Sequence, residues 1–190
     1  MGDLFGLTAT QTVGPYLHLA LQWEDGPDAV AETTPGAFWV RGRVVDGDGV
    51  PVADGLVETW QADPDGRFEH PDDPRGVVAP TLTGFRGFGR SCTDASGAWA
   101  IRTVKPGRVP GPDGRLQAPH LAVSVFARGL LDRVVTRLYF GDETEANGAD
   151  SLLSALPAEH RATLVAEPTG DGYRFDIVLQ GPGEIVTLAI

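Results

Sequence analysis

The chain reverses direction at short intervals along most of its length. Turn-forming clusters of glycine, aspartate and proline occur at residues 46–49, 63–66, 94–97, 111–114 and 170–172. Glycine tolerates positive φ angles and proline fixes φ, so both residues favour tight turns and interrupt regular elements. With 25 glycines and 15 prolines among 190 residues, the chain has little uninterrupted length for long helices. A fold built of short strands is therefore favoured.

Short runs rich in β-branched and aromatic residues lie between these turns. They predict strands at residues 38–45, 56–61, 99–104, 121–127, 134–140, 173–179 and 185–190. Short helices are predicted only near residues 151–156 and 158–163. Many short strands at regular spacing are typical of a β-sandwich. We therefore predict an all-β sandwich that forms one domain over residues 1–190, with one or two short helices.

The composition bounds the class of protein. A formal net charge of −11, from 26 acidic and 15 basic residues, argues against nucleic acid or an anionic membrane as partner. No apolar run reaches the roughly 18–20 residues that a membrane span needs, and the first residues lack the pattern of a secretory signal. The single cysteine, Cys92, cannot form an internal disulfide, which fits a reducing compartment. We expect a cytoplasmic protein without a membrane partner.

Two segments interrupt the strand pattern, residues 1–36 and residues 67–90. Long stretches without regular structure in a compact domain are often functional or form interfaces. We predict that residues 1–36 form an N-terminal strap that contributes to a partner interface and to a pocket. The alternative is an ordinary strap that covers the sandwich.

Several phrases, in order along the chain, resemble the intradiol ring-cleaving dioxygenases. They are residues 10–16 (TQTVGPY), 42–46 (GRVVD), 57–63 (VETWQAD), 87–90 (GFGR), 103–107 (TVKPG), 118–122 (APHLA), 126–129 (FARG), 136–140 (TRLYF) and 173–177 (YRFDI). Each phrase is weak by itself, but together they cover nearly the whole chain. The resemblance is closest to the metal-free, α-type chains of the family.

The resemblance implies that a catalytic chain of this family holds one ferric ion with two tyrosines and two histidines. Phenolate and imidazole suit such an ion, and histidines two residues apart on a strand share one face. Here the first histidine position is His120, but the second is Ala122, and Val109 lies where one tyrosine is expected. The other tyrosine should fall within residues 67–90, which contain none. We therefore expect ferric iron in a homologous partner β chain and none in this chain.

The resemblance also implies how a metal-free chain contributes to the active site. In two-chain members of the family, this chain closes the pocket around protocatechuate, which dioxygen cleaves to 3-carboxy-cis,cis-muconate. The motif match assigns substrate contacts to five residues: Thr12, Gly14, Pro15, Tyr16 and Arg128. A guanidinium is an always-charged donor fork that suits a carboxylate. A hydroxyl at Thr12, close backbone approach at Gly14 and an aromatic ring at Tyr16 suit a flat substrate.

Each of these residues also has a structural interpretation. Arg128 could form a surface ion pair, and Thr12 and Tyr16 could simply pack the strap. His120 is a vestigial ligand position, or a buried histidine whose hydrogen bonds are satisfied. We further expect a core position for Trp60, a core or rim position for Tyr139 and a structural role for Tyr173. Arg137 and Arg174 are expected to form structural ion pairs or subunit contacts.

Three other functions remain open from the sequence. The substrate could be another anionic catechol, such as a sulfonated one, because arginine suits either anion. The chain could be a non-catalytic binding module of the transthyretin type, to which residues 42–60 alone could belong. It could also be an iron enzyme with relocated ligands, although His18, His70, His120 and His160 share no spacing typical of ligand pairs.

Overall fold

The computed structural model describes residues 11–14, 21–68, 70–73, 75–76 and 82–189. Within these ranges the chain forms nine strands and three short helices. The strands are β1 Phe38–Val45, β2 Leu56–Trp60, β3 Phe88–Cys92, β4 Ala98–Thr103, β5 His120–Phe126, β6 Val134–Phe140, β7 Val165–Thr169, β8 Gly172–Arg174 and β9 Ile177–Val178. The helices are α1 Thr144–Ala149, α2 Ser151–Ala155 and α3 Ala158–Thr163. No helix in the described ranges is long and apolar enough to cross a membrane.

The strands form one hydrogen-bonded sheet. Eight of them follow the order β3-β2-β5-β6-β7-β8-β1-β4, and β9 pairs with β1 beside this path. Most neighbours are antiparallel, but β7 is parallel to β6, and both β8 and β9 are parallel to β1. β7 therefore joins a half that contains β2, β3, β5 and β6 to a half that contains β1, β4 and β8.

The sheet curls so that its two halves face one another. β3 and β4 lie at opposite ends of the strand order, yet only residues 93–97 connect them. So short a turn requires the two ends of the sheet to meet. They do meet, because a side chain added at Gly89 of β3 would contact Ile101 of β4 at 2.8 Å. The two layers of the predicted sandwich are thus the halves of a single curled sheet.

Alternating side chains of both halves fill one core. In β5, Leu121, Val123 and Val125 are fully buried while their neighbours are partly exposed. The other half contributes Val40, Val44, Ile101 and Phe175 to the same cluster. Gly42 of β1 has a steric role, because any side chain there would collide with the carbonyl oxygen of Phe175.

The all-β prediction is confirmed, and residues 38–45 and 134–140 are strands with the predicted bounds. Three predictions were wrong in detail. Strand β3 begins at residue 88, inside the segment 67–90 that is expected to lack strand pattern, and the predicted strand at 173–179 is split into β8 and β9. Residues 184–189 form no strand, because their backbone bonds go to scattered partners and not to one strand. The Ile185 amide, for example, donates to the Val178 carbonyl and the Leu188 amide to the Val135 carbonyl. Strand β7 and helix α1 were not predicted.

Residues 21–36 pack against β3 and β4 of their own chain. The amide of Ala29 donates to the Arg102 carbonyl at 2.9 Å, and the amide of Arg90 donates to the Gly26 carbonyl at 2.7 Å. Ala29 and Val30 are buried. Residues 21–36 therefore cover their own sheet, as the alternative of an ordinary strap predicts. A partner interface formed by residues 1–36 remains a prediction.

Candidate functional site

The predicted site residues fall into two regions at opposite ends of β5. His120 begins this strand, whereas Arg128 follows its last residue, Phe126. His120 and Phe126 are the two ends of β5, six residue steps apart in extended chain, which corresponds to about 20 Å. The structure therefore does not bring Arg128 together with His120.

The first region lies on the outer face of the sheet. Trp60 of β2, Ala122 of β5 and Arg137 of β6 are directly opposite one another in the strand register, and opposite residues project from the same face. Because alanine is small, space remains beside Arg137. Ala122 and Arg137 both line a cavity of about 650 Å³. Trp60 is 41% exposed on this face, so the prediction of a core position for it was wrong.

The resemblance assigns three of the four metal-ligand positions to single residues, and all three residues line this cavity. His120, Ala122 and Val109 all line it, although Val109 is eleven positions before His120 in the sequence. Hydrocarbon side chains thus occupy two of these three positions in the cavity.

His120 is held as a neutral ring. Its Nδ1 lies 2.8 Å from the Ala118 carbonyl oxygen, and a carbonyl oxygen only accepts, so Nδ1 carries the proton. Burial lowers the pKa of His120 to about 4, and the nearby charge of Arg137 acts in the same direction. The neutral ring therefore presents a lone pair at Nε2. The interpretation of His120 as a buried histidine with satisfied hydrogen bonds therefore applies to its Nδ1 atom and not to Nε2.

A polar network beside His120 was not foreseen from the sequence as a site. Arg137 Nη1 donates to Gln117 Oε1 at 2.5 Å and to the Tyr139 hydroxyl at 3.2 Å. The Tyr139 hydroxyl donates in turn to Asp150 at 3.3 Å. Burial raises the pKa of Tyr139 to about 12, so this hydroxyl stays protonated. The expected core position of Tyr139 is confirmed. Arg137 forms no ion pair with a described residue, whereas Arg174 pairs with Asp176, and a subunit contact of Arg137 remains a prediction.

Asp150 fastens this network to helix α2. It is the N-cap of the helix and accepts from the amides of Leu152 and Leu153, which is the usual role of an N-cap aspartate. It also accepts from the amide of Ala118, two residues before His120, at 2.8 Å. An aspartate directly before a predicted helix is a signal for the cap, but its bond to Ala118 has no sequence signal.

The cavity residues do not fit a ferric ion. Around His120, Val109 and Ala122 offer only hydrocarbon, and one imidazole nitrogen is too few ligands for the ion. In the part of the chain that the structure describes, no group of three or more histidine, cysteine, aspartate or glutamate side chains is placed to hold a metal. Tyr173 is buried and its hydroxyl donates to Asp142, so it too is committed elsewhere.

The second region surrounds Arg128 in the loop between β5 and β6. The guanidinium of Arg128 forms an ion pair with Asp54, and the Arg128 side chain is 63% exposed. This is the surface ion pair that the structural interpretation foresaw. An exposed pair contributes only about 0–1 kcal/mol to stability, so the guanidinium remains open to exchange its partner.

The N-terminal phrase meets this same loop. Thr12 Oγ1 accepts a 2.9 Å hydrogen bond from the amide of Gly129, the residue after Arg128. Gln11 and Val13 line a cavity of about 420 Å³ together with Phe126 and Leu131. Gly14 is exposed, with open space where a Cβ would lie. The structure thus places Thr12 beside Arg128, whereas Pro15 and Tyr16 lie outside the described residues.

Comparisons with known proteins agree with the motifs. The family profile described as "Dioxygenase" matches residues 14–181. The chain is 40% identical to a protocatechuate 3,4-dioxygenase alpha chain of Burkholderia cepacia, over 94% of this chain and 95% of the relative. It is 39% identical to the beta chain of that name from the same organism, over 75% of this chain and 63% of the relative.

A solved structure with the same fold is the dioxygenase domain of a dioxygenase carbohydrate-binding fusion protein from Streptomyces sp. SirexAA-E. It has a TM-score of 0.59 and 29% sequence identity to this chain. The match covers 82% of this chain and 87% of that domain. The curled sheet is therefore shared with dioxygenases of known structure.

Proposed function

The chain belongs to the intradiol dioxygenase family, and from this membership we propose that it is the metal-free α-type chain of a protocatechuate 3,4-dioxygenase. Members of this family depend on iron. On this proposal a homologous β-type chain holds the ferric ion, and the assembled enzyme uses dioxygen to cleave protocatechuate between its two hydroxyl-bearing carbons. The product is 3-carboxy-cis,cis-muconate.

One observation carries the proposal. The chain is similar to an alpha chain over almost its whole length, yet the cavity around His120 has Val109 and Ala122 at the positions of metal ligands. An iron-dependent reaction therefore needs a second chain, and beta chains of the same enzyme are homologous to this one. This similarity favours the proposal over a transthyretin-like binding module or an enzyme with relocated ligands.

Arg128 and Thr12 are the proposed contribution of this chain to substrate binding. The guanidinium is exposed, and Asp54 is its ion-pair partner among the described residues, so a substrate carboxylate can replace that partner when a neighbouring chain covers the loop. The hydrogen bond from the Gly129 amide to Thr12 holds residues 11–14 next to the Arg128 loop. Gly14, Pro15 and Tyr16 extend the proposed contact surface from there. A sulfonated catechol would satisfy the same guanidinium, and substrate comparison distinguishes the two anions.

The test is reconstitution with the homologous iron-bearing chain. Expressed alone, this chain should bind no stoichiometric iron and cleave no protocatechuate. Co-expressed with its partner, it should enter a complex that contains iron and consumes dioxygen with protocatechuate. Metal analysis, visible absorption and oxygen uptake measure the three quantities, with the partner alone as control.

A coloured and active assembly of this chain alone would contradict the proposal. So would a chain that stays monomeric in the presence of its homologous partner. The expected cytoplasmic location is a further part of the proposal, supported by the unpaired Cys92.

A further inference from the structure

The cavity around His120 has polar groups with unused hydrogen-bonding capacity. Most of the polar side chains on its wall are already bonded within the chain. Asp73 pairs with Arg75, Asp113 accepts from Ser151 and Arg115, and Thr136 donates to the Val186 carbonyl. Asp150 accepts from four donors, which are the amides of Ala118, Leu152 and Leu153 and the Tyr139 hydroxyl. That number matches the lone-pair sites of a carboxylate.

Arg137 is the charged side chain of this cavity that still has hydrogen-bond donors to offer. Its two hydrogen bonds to described residues both use Nη1, and both partners, Gln117 and Tyr139, are neutral. Among the described residues, Arg137 has no carboxylate within ion-pair distance, although the chain carries 26 acidic residues. A guanidinium has five N–H donors, so Nε and Nη2 can still bind a planar anion.

His120 supplies the second open position. Its Nδ1 is bonded to Ala118, so the neutral ring offers Nε2 as an acceptor, and no described residue donates to that atom. His120 and Arg137 lie diagonally across the β5–β6 pair, since Ala122 and not His120 is directly opposite Arg137. A diagonal pair is about 7–8 Å apart at the backbone, which leaves room for a ring between the two side chains.

The remaining wall is largely hydrocarbon and aromatic. Val109, Ala122 and Leu152 line the cavity. Phe68 also lines it, and its ring is stacked on Trp60 with an interplanar angle of 8° and centroids 6.1 Å apart. A volume of about 650 Å³ is within the usual range for small-molecule sites.

From this arrangement we propose that the cavity is a metal-independent binding site for a small aromatic carboxylate that carries a ring hydroxyl. The carboxylate is held by the free guanidinium edge of Arg137. The hydroxyl donates to His120 Nε2, and the ring packs against Ala122 and Phe68. The site belongs to this chain alone, so the inference requires neither the partner chain nor the proposed reaction.

The test is calorimetric titration of the full-length chain with 4-hydroxybenzoate, which has the two polar groups but lacks a vicinal diol. We expect one molecule to bind per chain with a dissociation constant of about 1 mM or tighter. Phenol, which lacks the carboxylate, should bind at least about tenfold more weakly because it cannot use the guanidinium. Benzoate, which lacks the hydroxyl, should also bind more weakly.

Three variants locate the ligand. Arg137→Met should weaken binding by about tenfold or more, whereas Arg161→Met, a matched change on the exposed face of helix α3, should leave it unchanged. Because Arg137→Met also breaks the bonds to Gln117 and Tyr139, Ala122→Leu is the second test. Its larger side chain takes up the space between His120 and Arg137 and keeps the Arg137 network, so binding should be lost while the melting temperature is maintained.

Several results would overturn the proposal. They are the absence of binding, equal affinity for phenol and 4-hydroxybenzoate, and binding that survives Ala122→Leu. Loss of binding in Arg128→Ala with no effect of Ala122→Leu would place the ligand in the other region and would also overturn it. A failure of the partner chain to assemble would leave these outcomes unaffected, because the titrated chain is alone.

Discussion

Arg128 shows how a single exposed guanidinium can be both a surface ion pair and a substrate contact. In the free chain it pairs with Asp54, of which the side chain is 23% exposed. The net attraction of such a pair is small because water screens it. A substrate carboxylate in a covered pocket would be screened less, and its hydrogen bonds to the guanidinium would be stronger.

We predict that Arg128→Ala lowers kcat/KM for protocatechuate by about ten- to more than a hundredfold in the reconstituted complex. Catechol, which has no carboxylate, should lose little. Arg128→Lys should recover only part of the activity because an ammonium keeps the charge but not the fork. Asp54→Asn, which removes the ion pair and keeps the guanidinium, should retain activity. Steady-state kinetics with both substrates measures this, and equal losses would assign Arg128 to assembly.

His120 makes stability depend on pH in a defined window. Its pKa is about 4 in the folded chain, because of burial and Arg137, against an ordinary value of 6.5. Between these values the unfolded chain takes up a proton that the folded chain does not, so the free energy of unfolding falls as pH decreases. The contribution is at most about 1.4 kcal/mol for each pH unit.

We therefore predict that His120→Gln flattens the pH dependence of unfolding between pH 6.5 and 4. Glutamine keeps an N–H donor for the Ala118 carbonyl and does not titrate. Urea unfolding at a series of pH values measures the slope. The matched control is His160→Gln, a change at an exposed position of helix α3, which should leave the slope unchanged. An identical slope in wild type and His120→Gln would contradict the prediction.

At the scale of elements, Gln61 joins the end of β2 to the end of β4 across the core. It is only 3% exposed. Its Nε2 donates to the Val104 carbonyl at 2.9 Å, and its Oε1 accepts from the hydroxyl of Thr103, which is fully buried. The side chain of Gln61 thus links the two halves of the sheet by hydrogen bonds between β2 and β4, which are not paired with each other as strands.

We predict that Gln61→Ala destabilises the chain by about 1–3 kcal/mol, because it removes the two buried hydrogen bonds to Val104 and Thr103 and leaves those groups only a longer, 3.4 Å contact with each other. Chemical denaturation gives the change in the free energy of unfolding. The matched control is Gln180→Ala, the same truncation at an exposed glutamine, which should change stability by less than about 0.5 kcal/mol. Similar losses in both variants would contradict the role of Gln61.

The sequence could predict those elements that bury a continuous apolar stripe. β1 and β6 carry such stripes and were predicted with their exact ends. β3 was missed because Gly87 and Gly89 resemble a loop, although the small residue at Gly89 is what lets β3 approach Ile101. The run at 185–190 has strand composition, but the structure gives it no continuous partner strand, and a partner is a tertiary property.

The candidate site divides in the same way. The pairing of His120 with Ala122 follows from their two-residue spacing, and the motif match placed Val109 with them. Arg137 lies 15 positions after Ala122 in the sequence. It lines the same cavity because the β5–β6 register places it opposite Ala122, and that register is fixed only by tertiary packing. The hydrogen bond between Thr12 and Gly129 joins residues that are 117 positions apart in sequence. The two motifs that contain these residues do not indicate that they lie close together in the fold.

At the scale of the whole molecule, the loop around Arg128 presents exposed apolar surface. Leu131 is 68% exposed and lies in the cavity that Gln11 and Val13 line. Exposed apolar residues beside a proposed substrate contact are expected where a partner chain covers them.

We predict that Leu131→Asp weakens association with the iron-bearing chain by at least about tenfold, because it would bury an unpaired charge in the interface. The melting temperature of the isolated chain should stay within a few degrees of wild type, since Leu131 has few neighbours to lose. Sedimentation velocity over a concentration series measures association. Val50→Asp, at another exposed apolar position, 55% exposed, is the control and should associate normally.

The parallel pairing of β1 has a consequence for synthesis of the chain. β1 is the first of the described strands along the chain, but its neighbours β8 and β9 lie at residues 172–178. Until residues 172–178 have been synthesised, one edge of β1 has no strand to pair with, and an open strand edge is a template for association with other chains. Closure of the sheet at this edge of β1 must therefore wait for residues 172–178, and a chain that stopped before them would leave the edge open to association.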